Sequence, residues 1–426
     1  MRFTDALAEL EARQPERMVP DLSRITALAE LLDDPQLTYP TIHVTGTNGK
    51  TTTSRLLAGL ACAHGVPAGL YTSPHLLSVT ERLCLCLEPI SEEEFADEYE
   101  RLLPYLQTVD GKGERVTYFE TLTALASVWF ADKPVSVGVF EVGMGGAWDA
   151  TNLVGGDVAV LCPIALDHPE LGPTIGQVAT EKAGVIKPGK IAVCREQPDD
   201  ALRVIEARCR DYEVRLLLEG RDFALEDRRQ GVAGQRIAVR GLGAEYDEFL
   251  LPLFGDHSAR NAAAAIVALE AFLDRPLSED ALRTALAEAT SPGRLEVVSR
   301  HPLLVLDGAH NPAGSESLAA ALSEAFTWDR LHLVIAVSAN KDLEGIVAPL
   351  APIASRAYAA RNTSERSGEA EWVAVGLRAA GVPTASWDSV TDAVAAAREG
   401  AGEGDLILVT GSLYTVADAR RALLEP

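Results

Sequence analysis

Leu7, Leu10, Ile25, Leu28, Leu31 and Leu32 recur at helical spacing and predict two short amphipathic helices ahead of the first strand. From Pro40 the pattern changes to an apolar run, a glycine-punctuated turn and a helical stretch, TIHVTGTNGKTTTSRLLAGLACAHG, with Gly65 placed to stop the helix. The runs VSVGVFEVG (135–143), DVAVLCPIAL (157–166) and KIAVCR (190–195) are apolar almost throughout. That is how strands covered on both faces read, and the segments between them have helical composition, so a parallel sheet flanked by helices is expected. Residues 221–254 are charged, with short alternating runs, and suggest a small antiparallel excursion before the helical segment SARNAAAAIVALEAFL. Ser291-Pro292-Gly293 breaks the helical pattern, and a new series of strands follows in HPLLVLDG, LHLVIAVS and DLILVTGS. Two α/β domains are expected, over 1–292 and 293–426.

Composition narrows the function classes. Hydrophobic residues at 47% and charged residues at 23% exclude a disordered or fibrous chain. The formal charge of −24 disfavours nucleic acid and anionic membrane surfaces as partners, both of which it repels at long range. Charges at Arg2, Asp5 and Glu9 interrupt any signal-peptide pattern, and no apolar stretch is long enough to span a bilayer, so a cytoplasmic monomer is expected. Cys62, Cys84, Cys86, Cys162, Cys194 and Cys209 form no C-x-x-C pair. Cys84 and Cys86 alternate like one face of a strand, and all six are read as buried free thiols.

The chemistry concentrates at strand ends. In TGTNGKTT, Gly46 and Gly49 let backbone amides close around phosphate oxygens, Lys50 is placed for the outer phosphates, and Thr51 opens the helix as a phosphate or Mg²⁺ contact. Val44 stands where the strict phosphate-loop pattern wants glycine, so a bare glycine turn is the competing reading. Glu141 ends the strand VGVFE at the carboxyl edge of the expected sheet, where a buried carboxylate needs a partner such as Mg²⁺. His168 follows a similar strand end and by itself would be a satisfied structural histidine. Lys182 in TEKAG would be a surface ion pair, or, once converted by CO₂ to a carbamate, an anionic group compatible with a nearby metal.

Taken in order, HVTGTNGKTT, TSPHL (72–76), FEVGMGGAWDATN (140–152), ALDHPELGPT (165–174) and EKAG (181–184) resemble the folylpolyglutamate synthase/dihydrofolate synthase family of the Mur ligase superfamily. SPGRLEVV, LDGAHNP, NKDLEGI and GSLYTVAD continue the resemblance in the same order, from about residue 22 to 421. It implies an α/β chain with a P-loop, parallel-sheet ATPase domain followed by a smaller Rossmann-like glutamate ligase domain. It further implies ATP-dependent joining of L-glutamate to dihydropteroate or a reduced folate through an acyl phosphate.

The resemblance assigns Gly46, Thr47, Asn48, Gly49, Lys50 and Thr51 to ATP, with Asn261, Arg294 and Asp307, and His310 nearby as a catalytic candidate beside Lys50 and Lys182. It assigns Thr51, Ser73, Glu141 and His168 to Mg²⁺, and Lys182 becomes the family's carbamylated lysine. Thr117, Tyr118, Phe119, Glu120, Trp148, Asp149 and Ala150 fall on the pterin pocket. Two positions depart from the family pattern. Thr51 stands where glycine is usual, as in the muramyl amino-acid ligases of peptidoglycan synthesis, and Ala147 replaces a common arginine. A muramyl ligase is therefore the nearest rival, and a P-loop ATPase acting as a switch or motor is the rival of another class.

Overall fold

The computed structural model describes residues 1–15 and 19–424, which fold as two compact units. The first comprises Met1–Asp227, Ile237–Phe249 and Arg260–Ala289, and the second Arg228–Arg236, Leu250–Ala259 and the chain from Thr290 onward.

The first unit is built on eight strands: β1 Thr41–Thr45, β2 Ala68–Tyr71, β3 Leu83–Leu85, β4 Glu88–Pro89, β5 Val137–Glu141, β6 Val158–Leu161, β7 Ile191–Cys194 and β8 Arg215–Leu218. Their order is β4-β3-β2-β5-β1-β6-β7-β8, with β3 antiparallel to both its neighbours β2 and β4 and the remaining pairs parallel. Every residue of β1, β5 and β6 is buried, which is why these strands read as unbroken apolar runs. The chain leaves β1 toward β2 on one side and returns through β5 to reach β6 on the other. The carboxyl ends of β5, β1 and β6 therefore flank the crevice where parallel sheets bind ligands.

The expected early helices are Phe3–Glu11 and Ser23–Leu31. They pack with Glu92–Asp110 and Tyr118–Asp132 over an aromatic core of Tyr71, Phe95, Tyr99, Trp129, Phe130 and Phe140. Buried Arg13 ties these helices together through Tyr99, Asp110 and the Val116 carbonyl.

The excursion expected around 221–254 is a separate three-stranded sheet of order β11-β10-β9, from β9 Ala224–Gly231, β10 Gly234–Arg240 and β11 Glu245–Leu251. The second unit carries β12 Glu296–Arg300, β13 Leu303–Leu306, β14 Leu331–Ile335, β15 Arg356–Ala359, β16 Thr384–Ser386 and β17 Leu406–Thr410. Their order is β12-β13-β17-β14-β15-β16, parallel except for the edge strand β12. At the amino end of this sheet Asp405 binds Arg330 at 2.7 Å and His332 at 3.2 Å, and His332 reaches the Tyr358 hydroxyl at 3.0 Å. Among the described residues no helix is long and apolar enough to cross a membrane.

The cysteine expectation needs correction. Cys62 and Cys86 form a disulfide, while Cys84, Cys162, Cys194 and Cys209 are buried free thiols. The strand ends at Leu85, and Cys86 and Leu87 turn with φ of 46° and 72°. That left-handed turn takes Cys86 off the strand face to the last turn of the helix Lys50–Ala63, where Cys62 sits.

Candidate active site

The loop after β1 is shaped by close backbone approach. Gly49 has φ of +89° as the residue before the helix Lys50–Ala63, and a Cβ there would lie 2.8 Å from the Asn261 side-chain oxygen. The Thr47 and Asn48 amides donate to the Pro163 carbonyl, and Thr47 Oγ1 donates to the Ala165 carbonyl at 2.9 Å, so the segment after β6 braces the loop. Lys50 arches back over it, its Nζ 3.0 Å from the Gly46 carbonyl and 3.2 Å from that of Thr47.

Glu141, the last residue of β5, pairs in register with Val44 and is 1% exposed. Thr51 Oγ1 donates to Glu141 Oε1 at 2.7 Å, and the Ser73 backbone N–H donates to Oε2 at 3.2 Å. Three of the four expected metal residues thus converge on one carboxylate, and the Thr51 departure supplies a hydroxyl to it. The fourth, His168, lies 3.2 Å from Asp167 in the loop after β6. Among the described residues no trio of His, Cys, Asp or Glu is gathered as a metal centre. One carboxylate with a neighbouring threonine hydroxyl suits a hard cation that keeps waters and shares phosphate oxygens, which is how Mg²⁺ binds.

Lys182 ends the helix Ile175–Lys182 and is 3% exposed. A Cβ at Gly146 would lie 2.8 Å from the carbonyls of both Glu181 and Lys182, so the GMGG segment lies directly on this helix end. That packing carries the Lys182 Nζ to the Gly46 carbonyl at 2.8 Å, the same acceptor that Lys50 uses. Burial, with the charge of Lys50 second, pulls the Lys182 ammonium down to about 7, against the opposing effect of Asp167 and Asp149.

A family model of the Mur ligase middle domain matches residues 44–269, and one of the Mur ligase glutamate ligase domain matches 293–413. The Mycobacterium tuberculosis dihydrofolate synthase/folylpolyglutamate synthase is 38% identical over 446 residues, covering 96% of this chain and 92% of that protein. The chain belongs to the dihydrofolate synthase/folylpolyglutamate synthase family. It is therefore an ATP-dependent glutamate ligase that forms an amide bond. The solved M. tuberculosis folylpolyglutamate synthase complexed with ADP superposes with a TM-score of 0.96 at 36% identity, covering 100% of this chain and 98% of that one. Escherichia coli FolC in complex with DHPP and ADP gives 0.89 at 30% identity, over 99% and 98%.

The ligase's remaining site candidates fall into two groups. Thr117 N-caps the helix Tyr118–Asp132 in a reciprocal capping box with Glu120, whose carboxylate also binds Arg24. Tyr118 lies under the Arg82 guanidinium at 5.3 Å, and Arg82 also donates to His75 Nδ1. Phe119 packs 5.9 Å from the Tyr71 ring and fills the space above Gly143. Trp148 donates its backbone N–H to Glu181, and Ala150 lines a small apolar cavity with Ile25, Ala29, Thr123 and Leu153. Asp149, 4% exposed, caps a short helix and accepts from Thr151 N, Thr151 Oγ1 and Met144 N. Its first structural role is to hold the 143–151 turn.

In the second unit, Asp307 follows β13 and accepts from the Leu295 and Ala309 amides at 2.8 Å each, binding the 293–295 segment to the strand end. Arg294 lies over Gly308, and His310 Nδ1 is 2.8 Å from the Gly308 carbonyl, so these three candidates cluster at the carboxyl edge of that sheet. Sequence reasoning missed Arg195. It follows β7, is 4% exposed, and binds both Asn261 and Glu219. A charged residue closing the apolar run KIAVC was the available signal.

Proposed function

We propose that this ligase joins the amine of L-glutamate to the carboxylate of dihydropteroate or of a reduced folate. The observation that carries the reading is the convergence of Thr51, Ser73 and Glu141 beside a loop whose Gly46 carbonyl receives both Lys50 and Lys182. The substrate carboxylate attacks the γ-phosphorus of ATP and ADP leaves, giving an acyl phosphate. The glutamate amine then attacks the acyl carbon, and the tetrahedral intermediate collapses to the amide and phosphate.

In this reading Gly46 to Thr51, Asn261, Arg294 and Asp307 bind ATP, and Lys50 and Arg294 offset phosphoryl charge by position and electrostatics. Thr51, Ser73, Glu141 and His168 hold Mg²⁺, which supplies charge neutralisation at the phosphates. Lys182 acts as a carbamate, and His310 is the further catalytic candidate. Phe119, Trp148 and Ala150 offer apolar surface to the pterin, while Thr117, Tyr118, Glu120 and Asp149 fix the backbone around it. The enzyme works in the cytoplasm, where ATP is available, as a monomer whose acidity keeps nucleic acid away.

The test is a product assay with ATP and glutamate against dihydropteroate and a reduced folate in parallel. Amide product with stoichiometric ADP and phosphate is expected from at least one acceptor. Ligation only on a nucleotide-sugar acceptor would support the muramyl rival, and ADP release indifferent to any amine would support an ATPase switch.

A further inference from the structure

Asn261 lies on the helix Asp256–Leu273 with its amide against Gly49, and its orientation is decided by Arg195. The Arg195 guanidinium donates to Asn261 Oδ1 at 2.5 Å. A guanidinium has donors and no acceptor, so the amide oxygen must face it and the Nδ2 donor must face away. Arg195 is itself held, its Nε 2.8 Å from Glu219 Oε2, with side chains 4% and 6% exposed. Glu219 also accepts from the Glu196 backbone N–H at 2.8 Å. Removing two such charges from water is unfavourable, and a merely packed asparagine does not require it.

We infer that Arg195, fixed by Glu219, is a positioning residue for the nucleotide: it turns Asn261 so that Nδ2 donates to ATP seated on the 46–50 loop. The inference rests on the reading of Asn261 as an ATP contact. It adds that the contact exists in the useful orientation only because a buried ion pair behind it sets the amide.

The experiment is calorimetric titration of the full chain with ADP in MgCl₂, with steady-state kinetics alongside. Asn261→Ala is expected to raise the ADP dissociation constant about tenfold, the order of one net hydrogen bond. Arg195→Met leaves the buried Glu219 with only the longer 3.6 Å ion-pair contact to Arg260 and threatens the fold. The paired R195M/E219M variant removes both charges, retains a packed core, and should lose the same factor. Adding Asn261→Ala to that pair should cost less than a further twofold, because all three changes delete one contact. The KM for glutamate and for the pterin acceptor should stay within about twofold throughout, which general loosening of the unit would not allow. Wild-type ADP affinity in the folded paired variant, with Asn261→Ala impaired, overturns this inference and leaves the reading of Asn261 standing. No effect of Asn261→Ala overturns both, and multiplicative losses in the triple variant show Arg195 acting independently of Asn261.

Discussion

Lys182 offers the sharpest test of how burial prepares this site. Carbamate formation requires the neutral amine. With its ammonium at about 7 instead of the ordinary 10.5, about half the side chain is neutral at pH 7. An unperturbed lysine would be almost wholly protonated at that pH, so burial, with the charge of Lys50 second, enriches the reactive form by about three orders of magnitude. Enzyme stripped of CO₂ should therefore be slow, and bicarbonate should restore ligation more effectively at pH 8 than at pH 6.5, following the neutral fraction through pH 7. Lys182→Ala should lose ligation and regain part of it with acetate, a small carboxylate able to enter the vacated volume. Lys182→Arg retains a cation that forms no such carbamate and should remain inactive, and ¹³C-labelled bicarbonate should give a carbamate resonance in the wild type alone. Full activity of Lys182→Arg under CO₂ depletion, with no bicarbonate response in the wild type, would refute the argument.

Three further outcomes follow from the geometry. Lys50→Ala should lower ligation at least about 100-fold with unchanged circular dichroism, because it removes the cation over the phosphate loop; full ADP formation by the folded variant would remove that loop from the mechanism. The Cys62–Cys86 bridge spans a sequence separation of 24, worth about 3 kcal/mol in loop-closure entropy, so Cys62→Ser should lower the urea midpoint, and reductant should bring the wild type to the same value. An unresponsive wild type would show the bridge absent in solution. Arg330 beside Asp405 holds that carboxyl down at about 2, so its contribution to stability is complete above the ordinary carboxylate range and is lost as pH falls from about 4 to about 2. Asp405→Asn should abolish that part of the acid transition, and an unchanged acid limb would assign it elsewhere.

The site candidates differ in how far sequence could carry them. Glu141 and Lys50 were legible because each closes or follows an apolar strand, and a polar residue there lands at the carboxyl edge whatever the neighbouring strands are. Asp149 and Glu120 were placed beside the pocket by the family resemblance alone, which says nothing of the Thr151 hydrogen bonds or the Arg24 ion pair that the structure gives them. Those partners lie on separate elements or depend on a local turn that periodicity does not encode. The disulfide was misread for the same reason, since strand alternation was extended one residue beyond the point where the backbone turns left-handed at Cys86. The short strands β2, β8 and β16 also escaped notice, having three or four residues each and too little pattern to separate from loops.

By itself the sequence determined the α/β class and the phosphate-loop unit, because burial on both faces, glycine-shaped turns and strand-end polar residues are local properties, and the order of its motifs carried the resemblance to glutamate ligases. Only the tertiary structure decided that β5 inserts between β2 and β1, that Thr51 and Ser73 meet on Glu141, and that Lys182 shares the Gly46 carbonyl with Lys50. The buried parallel strands β5, β6, β14 and β17 carry similar Val, Ile and Leu runs, so periodicity identifies such strands without ordering them. Strand order then brings residues more than a hundred positions apart, Gly46 and Lys182 among them, to within hydrogen-bond distance.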